Sequence, residues 1–273
     1  MRTVLVTALL VLSAFPASAS ELYIVPAYAN RVSNGTMSWY SEVFVTNPHR
    51  HLVELELETM IGESEPHGCR FPEYSLLFPT TLAPGETRRL CMPFLTSGAF
   101  AFRATHPLVV TSEMIAVRGR EASLVFTRQT IEPGRRWIEP GEQGVIFNVR
   151  VNPPQARANL VLMNPGGDPI TVRYTMVRIG SSPPVNHAYE PVEGSVEMAG
   201  QSVMIVPLPD TPRHDCRRLF ACGNAEEHEV VVEATGRFYA ATSSVENDLD
   251  GSFRSPIIRS AESPPDGGNR NRH

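Results

Sequence analysis

One 22-residue stretch occurs twice in this chain, and the repetition restricts the fold more than any other feature. Tyr40 to Ile61 reads YSEVFVTNPHRHLVELELETMI, and Ala158 to Ile179 reads ANLVLMNPGGDPITVRYTMVRI. Setting Asn47-Pro48 on Asn164-Pro165, 117 positions later, places Val43 on Leu160, Val45 on Leu162, Val53 on Ile170, Leu55 on Val172 and Leu57 on Tyr174 without a gap. In the first copy Val53, Leu55 and Leu57 alternate with Glu54, Glu56 and Glu58, the period of two of a half-buried strand. Each copy therefore predicts a hairpin, two strands around an Asn-Pro turn.

Echoes continue beyond this stretch. The turn Leu82-Ala83-Pro84-Gly85-Glu86-Thr87, with Pro and Gly placed for type II, is answered by Met198-Ala199-Gly200-Gln201-Ser202, with Ala199-Gly200 standing for Pro84-Gly85. The strand Arg89 to Cys91 that follows it is answered by Val203 to Val206. Ala104-Thr105 before Leu108 is answered by Ala234-Thr235 before Phe238, at an offset grown to 130. The added residues fall between Pro209 and Glu229, where a loop can absorb them. Trp137-Ile138-Glu139-Pro140 is expected to restart the pattern of Tyr23-Ile24-Val25-Pro26, a short edge strand stopped by Pro26. Gly62 to Pro72 reads as loop, Tyr74 to Phe78 as strand, and no stretch has sustained helical periodicity.

The chain opens MRTVLVTALLVLSAFPASAS, a thin positive start, a short apolar run and a small-residue site. This predicts a signal peptide over residues 1–19 with cutting after Ala19, and export to the periplasm or beyond. The apolar run is too short for a bilayer span. The expected division is a first unit over 22–131, a linker over 132–136, a second unit over 137–262 and a disordered polar tail over 263–273. Every one of the 24 basic residues is Arg and the net charge is −5, so no basic stripe invites nucleic acid. Four cysteines in an exported chain favour disulfides over metal thiolates. Of three possible connectivities, one pair per repeat is expected, Cys69–Cys91 and Cys216–Cys222.

These strands and turns resemble the immunoglobulin-like repeats found in tandem in exported bacterial proteins. There a strand enters an Asn-Pro or Asn-Gly turn, a second strand follows, and an L-x-P-G-E/Q-x turn comes later. The resemblance covers nearly all of Tyr23 to Ala261 and implies two tandem antiparallel immunoglobulin-like β-sandwiches, an all-β fold. The second copy lacks the Asn34-Gly35-Thr36 and Trp39-Tyr40 lead-in of the first.

Chemistry is sparse. His49 and His51 flank Arg50, and alternate residues of an extended chain point one way, so His-x-His suits zinc or copper. The matching turn Gly166-Gly167-Asp168 has no imidazole, which favours an ordinary polar turn. Asp248-Leu249-Asp250-Gly251 has the look of a calcium loop without the rest of its spacing, and Asp-Gly between strands is a hairpin signal. Cys216, Cys222, His214 and His228 lack zinc-pair spacing, and no nucleophile elbow is present. No cofactor is expected. Trp39, Tyr40, Arg135 and Arg136 are the candidate partner contacts, since aromatic and Arg side chains anchor interfaces; Trp137 is expected to pack the domain boundary. The expected function is an exported non-catalytic binding, adhesion or structural protein, with a protein or an extracellular polymer as partner. Alternatives are a periplasmic pilus-type chaperone, whose basic cleft has no clear counterpart here, and a metal-dependent hydrolase on a sandwich scaffold.

Overall fold

The apolar residues that the two copies share all turn inward. Val43, Val45, Val53 and Leu55 belong to one core, and Leu160, Leu162, Ile170 and Val172 occupy the matching places in another. The computed structural model describes residues 20–34, 37–64, 75–118, 124–133, 135–151, 156–178, 191–209, 227–246 and 250–260. Residues 1–19, Cys69, Cys216, Cys222, Asp248 and the tail lie outside them. The described residues form strands, turns and connecting segments without a helix, so none offers a helix long and apolar enough to cross a membrane.

The first half contains β1 (Glu21–Asn34), β2 (Met37–Thr46), β3 (Val53–Ser64), β4 (Ser75–Leu76), β5 (Thr80–Leu82), β6 (Thr87–Leu90), β7 (Leu95–Ala104), β8 (Val109–Arg118) and β9 (Leu124–Ile131). The second contains β10 (Glu142–Arg150), β11 (Ala156–Asn164), β12 (Ile170–Arg178), β13 (Val192–Met198), β14 (Ser202–Pro207), β15 (Glu227–Ala234), β16 (Tyr239–Glu246), β17 (Asp250–Arg254) and β18 (Ile257–Ser260). In the first half β1, β7, β3 and β5 pair in that order, while β2 pairs with β1, β8 and β6, and β8 with β9. In the second, β13, β12, β15, β10 and β18 make one sheet, and β14, β11, β16 and β17 a series that joins β9 of the first half through a parallel contact, Gly251 beside Thr127. Nearly all other pairings are antiparallel. Opposed layers with apolar faces between them are compatible with a β-sandwich.

The expected hairpins are corrected. Strand β2 pairs with β1, β6 and β8, whereas β3 pairs with β5 and β7, so the Asn-Pro turn is an arch that carries the chain from one layer to the other. The same holds for β11 and β12. An arch has no ladder between its strands, and its backbone groups need other partners. The buried Asn side chains supply them. Asn47 Nδ2 donates to the carbonyls of His51, Leu82 and Ala83, and its Oδ1 accepts from His49 N–H. Asn164 Nδ2 donates to Asp168 and Ala199, and its Oδ1 accepts from Gly166 N–H. Thr105 and Thr235 repeat a second device: Glu54 N–H donates to Thr105 Oγ1 and Thr105 N–H to Glu54 O, as Thr171 N–H and Thr235 do in the other half.

Three further expectations are revised. Strand β1 is central rather than a short edge: it pairs with β7 from Glu21 to Ala29 and with β2 from Asn30, and Pro26 sits in the register shift of the β7 pairing between Val25 and Tyr28, a place that needs no N–H donor. Gly62 to Ser64 belong to β3, with Gly62 facing Gly98 so closely that a Cβ on either would strike the other strand's backbone. The second Pro-Gly-like turn is one residue out of register: Gln201, not Gly200, takes the left-handed φ (49°) that Gly85 takes (70°). Gly200 is instead needed for its close approach to Gly167. Accordingly Val203, opposite Met163, answers Thr87, opposite Thr46.

A third apolar cluster joins the halves. Leu22, Ile24, Ile61, Ala99 and Ala101 come from the first, Trp137, Met163, Tyr239 and Ala241 from the second. In β7 the Phe100 and Phe102 side chains enter the first core, while Ala99 and Ala101 on the opposite face meet this junction.

Candidate functional site

The Asn47 arch and the β7–β8 turn end side by side, because β2 and β8 pair from Thr46 opposite Val109. The arch carries His49, Arg50, His51 and Leu52; the turn carries His106 and Pro107. Ring centroids of His49 and His51 are 5.1 Å apart, those of His49 and His106 5.6 Å, and those of His51 and His106 4.3 Å. His49 Nε2 lies 2.6 Å from Pro107 O. A carbonyl only accepts, so Nε2 carries the proton and Nδ1 of the neutral ring keeps its lone pair. The His51 imidazole is held below its ordinary pKa, first by desolvation against its neighbours and then by repulsion from His106 and His49. Arg50, Leu52, Pro107 and Val109 are exposed around the rings, Leu52 by 62%. Among the described residues, no three His, Cys, Asp or Glu side chains are already posed to hold a metal ion.

His49 and His51 are thus neighbours, as their spacing indicated, and the structure adds His106, which no pattern in the sequence singled out. Its signal was the Thr105–Thr235 match: that equivalence puts the following residue beside the Asn-Pro arch in both halves. In the places of His49, Arg50, His51 and His106 the second half has Gly166, Gly167, Asp168 and Gly236. Its arch is held by the same Asn and Thr bonds.

The other candidates are dispersed. Trp39 and Tyr40 are half-buried on β2, opposite Ala116 and Ile115 of β8, with β1 on the other side. Arg135 donates from Nη1 to Tyr239 Oη at 2.9 Å, and Arg136 grips Glu142 with both Nη atoms at 2.7 and 2.8 Å. Trp137 is buried in the junction, and its Nε1 donates to Glu58 Oε1 at 2.8 Å. A 320 Å³ groove beside it is lined by Arg103, Arg135, Arg136, Glu139 and Arg237. Arg103, Arg136 and Arg237 there are paired with Glu58, Glu142 and Glu139. Asp250 begins β17 opposite Glu246, with antiparallel strands on either side of residues 247–249. No free cysteine is present among the described residues, and Cys91 is disulfide-bonded.

No family model and no curated protein matches the chain. Among solved structures it is similar to one reported as the crystal structure of Thermotoga maritima 1070, at 12% identity over 44% of this chain and 97% of that one, with a TM-score of 0.32. It is also similar to an anti-sigma factor domain-containing protein, at 7% identity over 87% of this chain and 82% of that one, with a TM-score of 0.18. Likeness this weak carries no inference about either fold family or activity.

Proposed function

We propose that the chain is an exported, non-catalytic binding protein of two immunoglobulin-like sandwich repeats, which meets a protein or an extracellular polymer through the loops at the Asn47 end of its first half. One observation carries this: the residues common to both halves are core positions and backbone staples, whereas the exposed loop positions differ. His49, Arg50, Leu52 and His106 stand where the second half has Gly166, Gly167, Pro169 and Gly236. A rigid scaffold with divergent loops is the usual way in which such folds carry recognition. The site offers imidazoles, one guanidinium and an exposed leucine, a mixed polar and apolar surface suited to contact. On the same reading residues 1–19 are a removed signal peptide, and the cysteines pair as Cys69–Cys91 and Cys216–Cys222.

The test compares capture from the exported fraction by the full chain and by a chain carrying R50G and L52P, the second half's residues. Loss of a specific partner with an unchanged melting curve supports the proposal. A partner retained undiminished by the exchanged loop would move the contact surface elsewhere. Catalytic turnover by the purified chain would sink the non-catalytic part.

A further inference from the structure

We propose that His49, His51 and His106 together bind a zinc-class divalent metal ion at the Asn47 end of the first half. Neutral imidazole is a favoured ligand of zinc and its neighbours, and three of them with an open position make a complete protein ligand set. With metal–nitrogen bonds of about 2.0–2.1 Å, each ring centroid stands roughly 3.2 Å from the ion, and tetrahedrally placed rings lie roughly 5.2 Å apart. The observed separations of 5.1 and 5.6 Å already match, and only the 4.3 Å pair, His51 with His106, must open by about an ångström. The nitrogens are not converged as the rings now lie. Convergence requires the imidazoles to turn toward a common point, and His51 is the most exposed of the three.

The backbone beneath is held at both loops. Asn47 ties His49 N–H and His51 O, and Thr105 is bonded to Glu54 through both N–H and Oγ1. His49 has the outer partner common to metal-bound histidines: its Nε2–H is held by the Pro107 carbonyl, which leaves Nδ1 as the ligating atom. The fold does not require these imidazoles. The second half builds the same arch and the same Thr-anchored turn with Gly166, Asp168 and Gly236 in their places. Three close imidazoles repel one another when protonated, and without a structural need for them a shared ion is the chemistry that accounts for their meeting. Zinc is titrated into the chain alone, so the outcome is independent of whether a partner binds there.

The experiment uses the full chain purified without a histidine tag and stripped with chelator. Zinc is titrated by calorimetry, and cobalt(II) is added in parallel as a spectroscopic probe. One zinc per chain is expected, with cobalt absorption of a nitrogen-rich four- or five-coordinate site. H106Q should weaken zinc binding at least tenfold. H49G, H51D and H106G combined, which copy the second half, should abolish binding while the β-type circular dichroism persists. Absence of stoichiometric zinc from the wild-type titration would overturn the proposal, and so would wild-type affinity in H106Q. Both readings stand even if the triple variant does not fold.

Discussion

At the scale of residues, the most consequential side chains are two asparagines that no apolar pattern would single out. Each is fully buried, and each replaces ladder hydrogen bonds that an arch cannot make. Removing Asn47 takes a donor from the buried Leu82 carbonyl and from the part-buried carbonyls of His51 and Ala83, the last of which still accepts from Glu86 N–H, and a buried polar group left unsatisfied costs about 1–3 kcal/mol. Asn47→Ala and Asn164→Ala are each expected to lose about 2–3 kcal/mol in urea unfolding. Asn47→Asp, the same shape with no N–H to give, should lose at least as much; a neutral result would mean that water replaces the amide. His51 sets a pH dependence of definite sign. Its folded pKa lies below the ordinary value of 6.5, so over the interval between them the unfolded chain binds more protons. The contribution is neutral above that interval and becomes destabilising as pH falls through it. Unfolding midpoints between pH 7 and pH 5 should therefore drop less in His51→Gln than in the wild type.

Elements show how much of the fold was legible and why part was not. The Asn-Pro repeat, the Pro84-Gly85 turn and the Thr105–Thr235 match were all readable, because each depends on residue types with strong local preferences. The pairing of strands across layers was not, since the same alternation serves a hairpin and an arch. The match of Trp137-Ile138 to Tyr23-Ile24 fails for a specific reason. Strand pairing puts Gly144, opposite Val232, where the first half has Tyr23, opposite Phe102. In the first half the Tyr23 hydroxyl donates to Leu108 O and accepts from Leu108 N–H. In the second, the backbone of Ile138 exchanges both bonds with Phe238, the equivalent residue. The Ile138 side chain meanwhile occupies the space over Gly144, so that a Cβ there would lie 2.6 Å from Ile138 Cδ1. A side-chain clasp in one repeat is a main-chain clasp in the other, and residue identity cannot reveal that exchange. Two substitutions test it by denaturant titration. Tyr23→Phe should cost about 1–2 kcal/mol through the Leu108 bonds, and Gly144→Ala about 1–3 kcal/mol through overpacking. A neutral Gly144→Ala would show that Ile138 is free to move aside.

At the scale of the molecule, the shared third cluster changes what the two halves can do apart. Each half has its own core, Tyr23 to Ile131 in one and Ile138 to Ile258 in the other, which supports independent folding of a 137–261 fragment. That fragment would nevertheless expose Met163, Tyr239 and Ala241, which the intact chain buries against Leu22, Ile24, Ala99 and Ala101. Over Ala99 to Phe102 and Tyr239 to Thr242, strands β7 and β16 are buried on both faces for this reason, and the alanines beside aromatic residues there fit two opposed packing surfaces. Trp137 is the largest side chain in the cluster and also bonds Glu58 across it. Trp137→Ala should remove about 3 kcal/mol from the coupling between halves, in the range of large core truncations. The intact chain is then expected to melt in one cooperative transition by calorimetry, and Trp137→Ala in two, or in one broadened by loss of coupling. The isolated fragment should melt below the intact chain and self-associate through its uncovered face. If Trp137→Ala instead lowered a single sharp transition without broadening it, the two cores would be one cooperative unit, and the junction only a part of it.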